Sequence, residues 1–201
     1  ENFLFKPKET YRMGGGSRSG SLTSGVNHAS GVMTYFNVGN PKDKEVKLSY
    51  VNKTGDTLKT FSTKDKKDKL ELKEGANYHS WNMRGKGAEK LEGSTEAPQA
   101  VPGDYKAVLS VDDEVQTQSF RIVADPNAET DQAGMQRQFD YITDINNTVD
   151  KAHKSIKKIR AINTQLEAFQ EQYKDNETVK ELVEKAKKLS EDFSEIEKAL
   201  Y

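Results

Sequence analysis

The spacing of apolar residues changes at Asp125-Pro126 of this 201-residue chain. Before this dipeptide, apolar and polar residues alternate in short runs that are separated by glycine-containing turns. After it, apolar residues recur every three or four positions to the C-terminus. Alternation is typical of half-buried strands, and a spacing of three and four is typical of packed helices. The sequence therefore predicts a β part followed by a helical part.

The composition restricts the class of protein. Hydrophobic residues make up 33% of the chain and charged residues 31%, which suits a small core and a solvated helical surface. The formal net charge is -1, so we expect no basic face and no nucleic-acid partner. There is no apolar run of about 18 residues, so no membrane span is expected. The chain has no cysteine, which excludes disulfides, thiolate nucleophiles and cysteine-type zinc sites.

Residues 31–125 are predicted to fold as a β-sandwich of immunoglobulin or fibronectin type. About seven short strands are separated by turn residues, as in that architecture. Alternation places Val32, Thr34, Phe36 and Val38 on one face of a strand, and it turns His79 and Trp81 inward. A short strand is expected at Leu70–Leu72. Residues 64–69 are interpreted as a solvated loop, and residues 85–100 as a loop rich in glycine, glutamate and serine.

Residues 1–30 are predicted to be a lead-in from an upstream domain. Their glycine-rich stretch, Gly14–Ser21, is typical of a flexible linker. It is not expected to cradle a phosphate, because no strand precedes it and no helix follows it. Since the chain starts at Glu1 and stops within an apolar pattern, we expect it to be a piece of a longer protein.

Residues 126–201 are predicted to form an antiparallel coiled-coil hairpin of two helices. Thr130-Asp131 would cap a first helix over about 130–172, and Lys174–Asn176 would end it. The second helix carries its own apolar stripe: Val179, Leu182, Ala186, Leu189, Phe193, Ile196 and Leu200. A short connection makes the two helices antiparallel, with the stripes facing each other.

The start of the first helix is predicted to contact a partner. The second helix is too short to cover this part. The apolar residues at the start of the first helix therefore need another contact, either the sandwich or a segment outside this chain. The candidate contact residues are Met135, Phe139, Ile142, Ile145 and Val149. If the helices instead associate between copies, a homodimer is expected that charges at Ile156 or Ile159 would dissociate.

No catalytic, cofactor-binding or metal-binding constellation is predicted. The histidines, His28, His79 and His153, lack metal-ligand spacing. Paired acidic residues such as Asp112-Asp113 fit a turn better than an active-site cleft. A sugar-stacking platform is the alternative for the aromatic residues Tyr35, Tyr50 and Tyr78, provided that they are exposed.

Six segments resemble, in order, the C-terminal region of bacterial sortilin-like BNR-repeat β-propeller proteins, which are often labelled glycosyl hydrolases: Phe5–Arg12, Gly75–Arg84, Ala100–Tyr105, Val123–Pro126, Gln136–Asp140 and Ile159–Ala161. Asn82 departs from that pattern, which has aspartate after the tryptophan. The matched segments span nearly the whole chain, and their order and spacing are more specific than any one of them.

The resemblance implies an exported, non-catalytic accessory module. The family's propeller lies N-terminal to the region matched here, and any active site would lie there. The implied roles are packing against the propeller, spacing it from a surface, or recruiting a partner. Two alternatives remain open, namely a carbohydrate-binding module and a coiled-coil oligomerisation element.

Overall fold

The computed structural model describes residues 1–13 and 30–200. The predicted linker Gly14–Ser21 and His28 lie outside these residues. The strands, in chain order, are β1 (Phe3–Leu4), β2 (Thr10–Arg12), β3 (Val32–Val38), β4 (Val46–Asn52), β5 (Thr57–Ser62), β6 (Gly75–Trp81), β7 (Gly103–Val111) and β8 (Glu114–Ala124). The helices are α1 (Gln132–Tyr173) and α2 (Lys180–Leu200), with a short 3-10 turn at Glu177–Val179 between them. The predicted order of β and α parts is confirmed.

The strands form two sheets. One has three strands in the order β1-β3-β6, and the other has five in the order β2-β8-β7-β4-β5. The pairs are antiparallel apart from β2, which runs parallel to β8 with Thr10 opposite Ile122. The inner faces of both sheets contribute to one hydrophobic core: Leu4, Val32, Phe36, Val38, Val46, Leu48, Tyr50, Leu70, Trp81, Met83, Ala100, Tyr105, Ala107, Leu109, Val111, Phe120 and Ile122.

Residues 1–13, which were predicted as part of a lead-in, contribute a strand to each sheet. Phe3 and Leu4 pair with β3 of the smaller sheet, and Thr10 to Arg12 pair with β8 of the larger one. Leu4 is fully buried in the core. Strands of two and three residues are too short to show alternation, so the sequence pattern did not indicate them.

The segment after β5 is ordered by its own polar contacts and contains no strand at Leu70–Leu72. Lys59 Nζ lies 2.6 Å from Asp68 Oδ1, and both side chains are largely buried. The backbone N–H of Leu70 donates to Ser62 O at 2.9 Å, and the Leu70 side chain lies in the core. The expected strand is therefore a short anchored loop, because it makes only an isolated bridge between Ser62 and Lys69.

The helix α1 is continuous over 42 residues, which corresponds to about 63 Å at 1.5 Å per residue. The predicted N-cap is confirmed, since Asp131 Oδ1 accepts a hydrogen bond from Gly134 N at 2.7 Å. The helix ends at the predicted place. There, Asn176 Oδ1 accepts a hydrogen bond from Thr178 N and caps the 3-10 turn.

Neither α1 nor α2 is long and apolar enough to cross a membrane over the residues that the structure describes.

The chain forms two compact units whose boundary is not at residue 125. The first consists of Glu1–Lys86 and Glu96–Thr143, and the second of Gly87–Thr95 and Asp144–Tyr201. The first turns of α1 thus belong with the sheets. The segment 87–95, which was expected to lie in a loop, belongs with the helices.

Within the second unit, the segment 87–95 binds one face of α1. The acceptors on the helix are Asn146 Oδ1, Asp150 Oδ1 and His153 Nδ1. Their donors are Thr95 Oγ1 at 2.8 Å, Glu89 N at 3.2 Å and Leu91 N at 3.3 Å. Spacings of four and three place the three acceptors along one side of the helix. This segment therefore covers one side of α1 over residues 146–153.

The helices α1 and α2 run antiparallel within the second unit. Arg160 Nε lies 2.7 Å from Glu197 Oε1, and Asn163 Nδ2 lies 3.3 Å from Ser194 Oγ, so partner numbers fall along α2 as they rise along α1. Ile156, Ile159 and Ala186 are buried in this contact region of the unit. Charges at Ile156 or Ile159 would therefore disrupt the fold of the chain and cannot serve to test a dimer.

Candidate functional site

Four aromatic side chains lie on the outer face of the three-stranded sheet and are exposed. They are Phe3, Phe5, Tyr35 and Tyr78, with exposed fractions between 46% and 69%. We call this set the aromatic row. Monomeric proteins rarely leave large apolar groups clustered in water, so such a patch indicates a binding surface.

Strand register brings the aromatic row together. Tyr35 is directly opposite Tyr78, and Phe5 N donates to Tyr35 O at 3.0 Å, which sets Phe5 beside Tyr35. Because side chains alternate along a strand, the neighbours Leu4 and Phe36 point into the core. The rings of Phe5, Tyr35 and Tyr78 therefore lie in a line across the three-stranded sheet.

The rings of the aromatic row are in contact but are not coplanar. Phe3 and Phe5 have centroids 4.8 Å apart with an angle of 71° between their planes. Tyr35 and Tyr78 have centroids 6.2 Å apart and planes inclined by 42°. The surface is also uncharged along its two longer strands, where the remaining outward residues are Met33, Asn37, Ala76 and Ser80.

Tyr50 does not belong to this surface, contrary to the predicted stacking set. It is fully buried, and its ring stacks on Trp81 with centroids 4.3 Å apart. Its hydroxyl shares a hydrogen bond of 2.8 Å with Thr34 Oγ1. Burial raises the pKa of Tyr50 above its ordinary value, because the phenolate would be desolvated. Of the three predicted stacking residues, only Tyr35 and Tyr78 are exposed.

The predicted partner-contact residues of α1 differ in exposure. Met135 is buried in the first unit, while Phe139, Ile142 and Val149 are half-buried. Ile145 is 44% exposed. Part of this stripe is thus already covered within the chain, and it does not form a continuous free surface.

The apolar stripe predicted for α2 is only partly directed at α1. Ala186 is buried and Phe193 is half-buried, as expected. Four other members of the stripe are exposed: Leu182, Leu189, Ile196 and Leu200. We call these four residues the α2 stripe. The helix is rotated so that Val183, Ser190 and Glu197 are less exposed than the larger apolar residues beside them.

The described histidines do not converge on a site. The ring of His79 packs on Phe61 with centroids 4.1 Å apart, and burial lowers its pKa. Its Nε2 atom is buried and makes no hydrogen bond within the described part of the chain. His153 lies in the second unit, where it accepts the bond from Leu91 N. Across residues 1–13 and 30–200, no group of three His, Cys, Asp or Glu side chains is placed to hold a metal ion.

Sequence reasoning missed Phe3 and Phe5 as part of a surface. The signal was present, since two aromatic residues flank a single leucine and so point to the side opposite Leu4 in a strand. Three residues were too few to support a strand before the pairing with β3 was known.

No protein-family model matches the chain. A comparison with curated proteins also finds no match.

Proposed function

We propose that this chain is a non-catalytic interaction module of an exported bacterial sortilin-like β-propeller protein, and that the aromatic row is its protein-docking surface. The exposure of four clustered aromatic side chains carries the proposal. Aromatic residues are enriched and charged residues depleted at the cores of protein interfaces, which is the composition of this face.

The strand order supports an immunoglobulin-type sandwich as the scaffold. Such folds pair a three- or four-stranded sheet with a larger one, as the β1-β3-β6 and β2-β8-β7-β4-β5 sheets do here. Tyr105 near the start of β7 donates from its hydroxyl to Val101 O, four residues upstream. This contact has the form of the tyrosine corner of that fold family. A rigid sandwich would hold the aromatic row in a fixed geometry.

The position of the aromatic row favours a neighbouring domain as its occupant. Phe3 and Phe5 belong to or directly follow β1, and Phe5–Arg12 is the segment that resembles the exit from the family's propeller. In such a protein, the preceding domain would join the chain at the edge of the row. A docked propeller would then cover the rings and fix its own orientation.

The tilt of the rings favours a protein over a sugar. A pyranose ring stacks best on a flat aromatic platform, whereas the planes of Tyr35 and Tyr78 are inclined by 42°. Edge-to-face and tilted rings are common where aromatic side chains pack on other protein groups.

Carbohydrate binding is the second candidate, and the exposed pair of Tyr35 and Tyr78 favours it specifically. On this alternative the module would hold a glycan for a propeller that is itself a glycosidase. Binding on a glycan array that is lost in Tyr78→Ala and kept in Tyr141→Ala would support it. Tyr141 is a matched control, because it is also 69% exposed but lies on α1.

Hydroxyl-radical footprinting of the parent polypeptide tests docking. The amino-acid sequence that precedes Glu1 in the parent is determined first, and a series of propeller-blade repeats is expected in it. Labelling of Tyr35 and Tyr78 is then compared between the parent and this chain. We expect several-fold protection in the parent and equal labelling of Tyr141. Equal labelling of all three tyrosines, or glycoside hydrolysis by this chain alone, would overturn the proposal.

A further inference from the structure

Three residues of the α2 stripe recur every seven positions and are not buried against α1. Leu182, Leu189 and Ile196 are seven residues apart and are 59%, 44% and 50% exposed. A seven-residue repeat keeps side chains nearly in line along a helix, which is the pattern of a seam between packed helices. The line is about 21 Å long, since fourteen residues separate its ends.

The flank of α2 next to the α2 stripe is already occupied by α1. Ala186 is buried there, and Ser194 and Glu197 contact Asn163 and Arg160. The α2 stripe therefore lies beside the contact with α1 and is not part of it. A second helix could pack along it without displacing α1.

We infer that the α2 stripe packs antiparallel against the α2 stripe of a second copy of this chain. Leu182 and Ile196 are each seven residues from Leu189. A two-fold axis at Leu189 therefore sets Leu182 of one copy opposite Ile196 of the other, and Leu189 opposite itself. Leu182, Leu189 and Ile196 of both copies are covered at once, and Leu200 lies beyond this paired stretch.

The flanking charges select this orientation. Lys185 and Asp192 are exposed on the side of the α2 stripe away from α1. Lys185 lies four residues before Leu189, and Asp192 lies three residues after it. The same two-fold axis therefore places Lys185 of one copy nearly opposite Asp192 of the other, with an offset of one residue. In a parallel pair the two-fold axis would place this flank of one helix against the other flank of its partner, so Lys185 and Asp192 would not meet across the seam.

The intrachain partner of Lys185 does not prevent this exchange. Lys185 Nζ lies 2.6 Å from Glu181 Oε1, and both side chains are more than 70% exposed. Exposed pairs of this kind contribute little, so the lysine can turn to the second copy without appreciable loss. The interface is small, and weak association with a dissociation constant on the order of 10–100 μM is expected.

Sedimentation of the full chain tests the dimer. Measurements from about 5 to about 500 μM bracket the dissociation constant expected of a small interface, and they should show a monomer converting to a dimer. Leu189→Asp buries a charge on the axis and should weaken the dimer at least about tenfold. Ile145→Asp is the matched control, because Ile145 is also 44% exposed but lies on α1. Circular dichroism confirms that both variants fold.

A charge exchange tests the orientation. Lys185→Asp and Asp192→Lys should each weaken association, since each faces a like charge in the antiparallel pair. The double variant should restore it. In a parallel pair the two residues would not face each other across the seam, so this pattern of loss and restoration would not occur.

Single cysteines give a second measure of orientation, because the chain has no cysteine of its own. Under mild oxidation, Leu189→Cys should form a covalent dimer. Leu182→Cys alone should not, although it should link to Ile196→Cys when the two variants are mixed. A chain that stays monomeric at every concentration, a dimer lost in Ile145→Asp but kept in Leu189→Asp, or self-linkage of Leu182→Cys would overturn the inference. The aromatic row belongs to the first unit, so failure here leaves the proposed docking function untouched.

Discussion

Tyr50 of β4 and Trp81 of β6 stack across the core with ring centroids 4.3 Å apart and planes inclined by only 14°. The two residues come from different sheets. The Tyr50 hydroxyl also shares a hydrogen bond with Thr34 of β3, and Trp81 Nε1 donates to Arg84 O at 2.7 Å. The polar atoms of both rings are thus satisfied inside the core, and Tyr50 is joined to the opposite sheet by both a ring stack and a hydrogen bond.

Alkaline pH should weaken the fold through Tyr50. Burial raises its pKa above the ordinary value of 10.0, so the folded chain keeps the phenol proton at a pH where the unfolded chain loses it. The unfolding free energy should be unaffected below pH 10 and should then fall by about 1.4 kcal/mol per pH unit. Burial raises the pKa of Tyr105 as well, so two tyrosines add to the slope.

Urea unfolding of Tyr50→Phe between pH 8 and 11 measures this contribution. At pH 8 the variant should be less stable by about 1–2 kcal/mol, since Thr34 Oγ1 loses its buried partner. Above pH 10 its stability should decline about half as steeply as that of the unaltered chain. Equal slopes would show that Tyr50 ionises without unfolding.

Acidic pH should weaken the fold through His79. Burial lowers its pKa, and its Nε2 atom makes no hydrogen bond to another described residue. Below pH 6.5 the unfolded chain takes up a proton that the folded chain does not, so the unfolding free energy falls as the pH decreases. In His79→Phe, which keeps a ring against Phe61, the decline between pH 7.5 and 5 should be smaller than in the unaltered chain. Chemical denaturation at these two pH values decides the matter, and the prediction fails if the declines are the same.

Asn77 should be the most sensitive polar residue of the smaller sheet. Its Nδ2 donates to Lys73 O and Gly75 O at 2.8 Å each, and its Oδ1 accepts from Lys73 N at 2.9 Å. Asn77→Ala would leave these partly buried turn groups without their side-chain partner and should cost about 1–3 kcal/mol in thermal or urea unfolding. Asn147→Ala on the exposed side of α1 should change stability by less than about 0.5 kcal/mol. Similar losses in both variants would contradict the assigned role.

Gly87 should be needed for the segment 87–95 to bind α1. A Cβ at this position would lie 1.8 Å from Thr95 O, far inside van der Waals contact. Gly87→Ala should therefore separate the ends of the segment and raise amide exchange at Glu89 and Leu91. At Gly103 the nearest atom to an added Cβ is 3.9 Å away, so Gly103→Ala should leave this exchange unchanged. Unaltered protection in Gly87→Ala would mean that the segment does not depend on this close approach.

The strands and helices that repeat their pattern over several residues were predictable. Alternation along β3 and β4 identified the inward residues, and Asp131 identified the start of α1. β1 and β2 were not predictable, because two or three residues carry no period and each strand depends on a distant partner.

Three features of the surfaces depended on information that side-chain identity does not carry. The segment 87–95 binds α1 partly through the backbone N–H groups of Glu89 and Leu91, which every non-proline residue possesses. The apolar stripe of α2 is wider than its contact with α1, so periodicity alone could not tell whether Leu189 or Ser190 would be covered. The aromatic row likewise required the register between β1, β3 and β6.

The chain passes between the two compact units three times, after Lys86, after Thr95 and after Thr143. Cutting a single peptide bond therefore cannot yield both units whole. A polypeptide shortened to residue 125 would retain the segment 87–95 but lose Asn146, Asp150 and His153, the helix residues that accept its hydrogen bonds. Because the connections are interleaved, a shortened form of this chain keeps both units only if the β and helical parts are retained together.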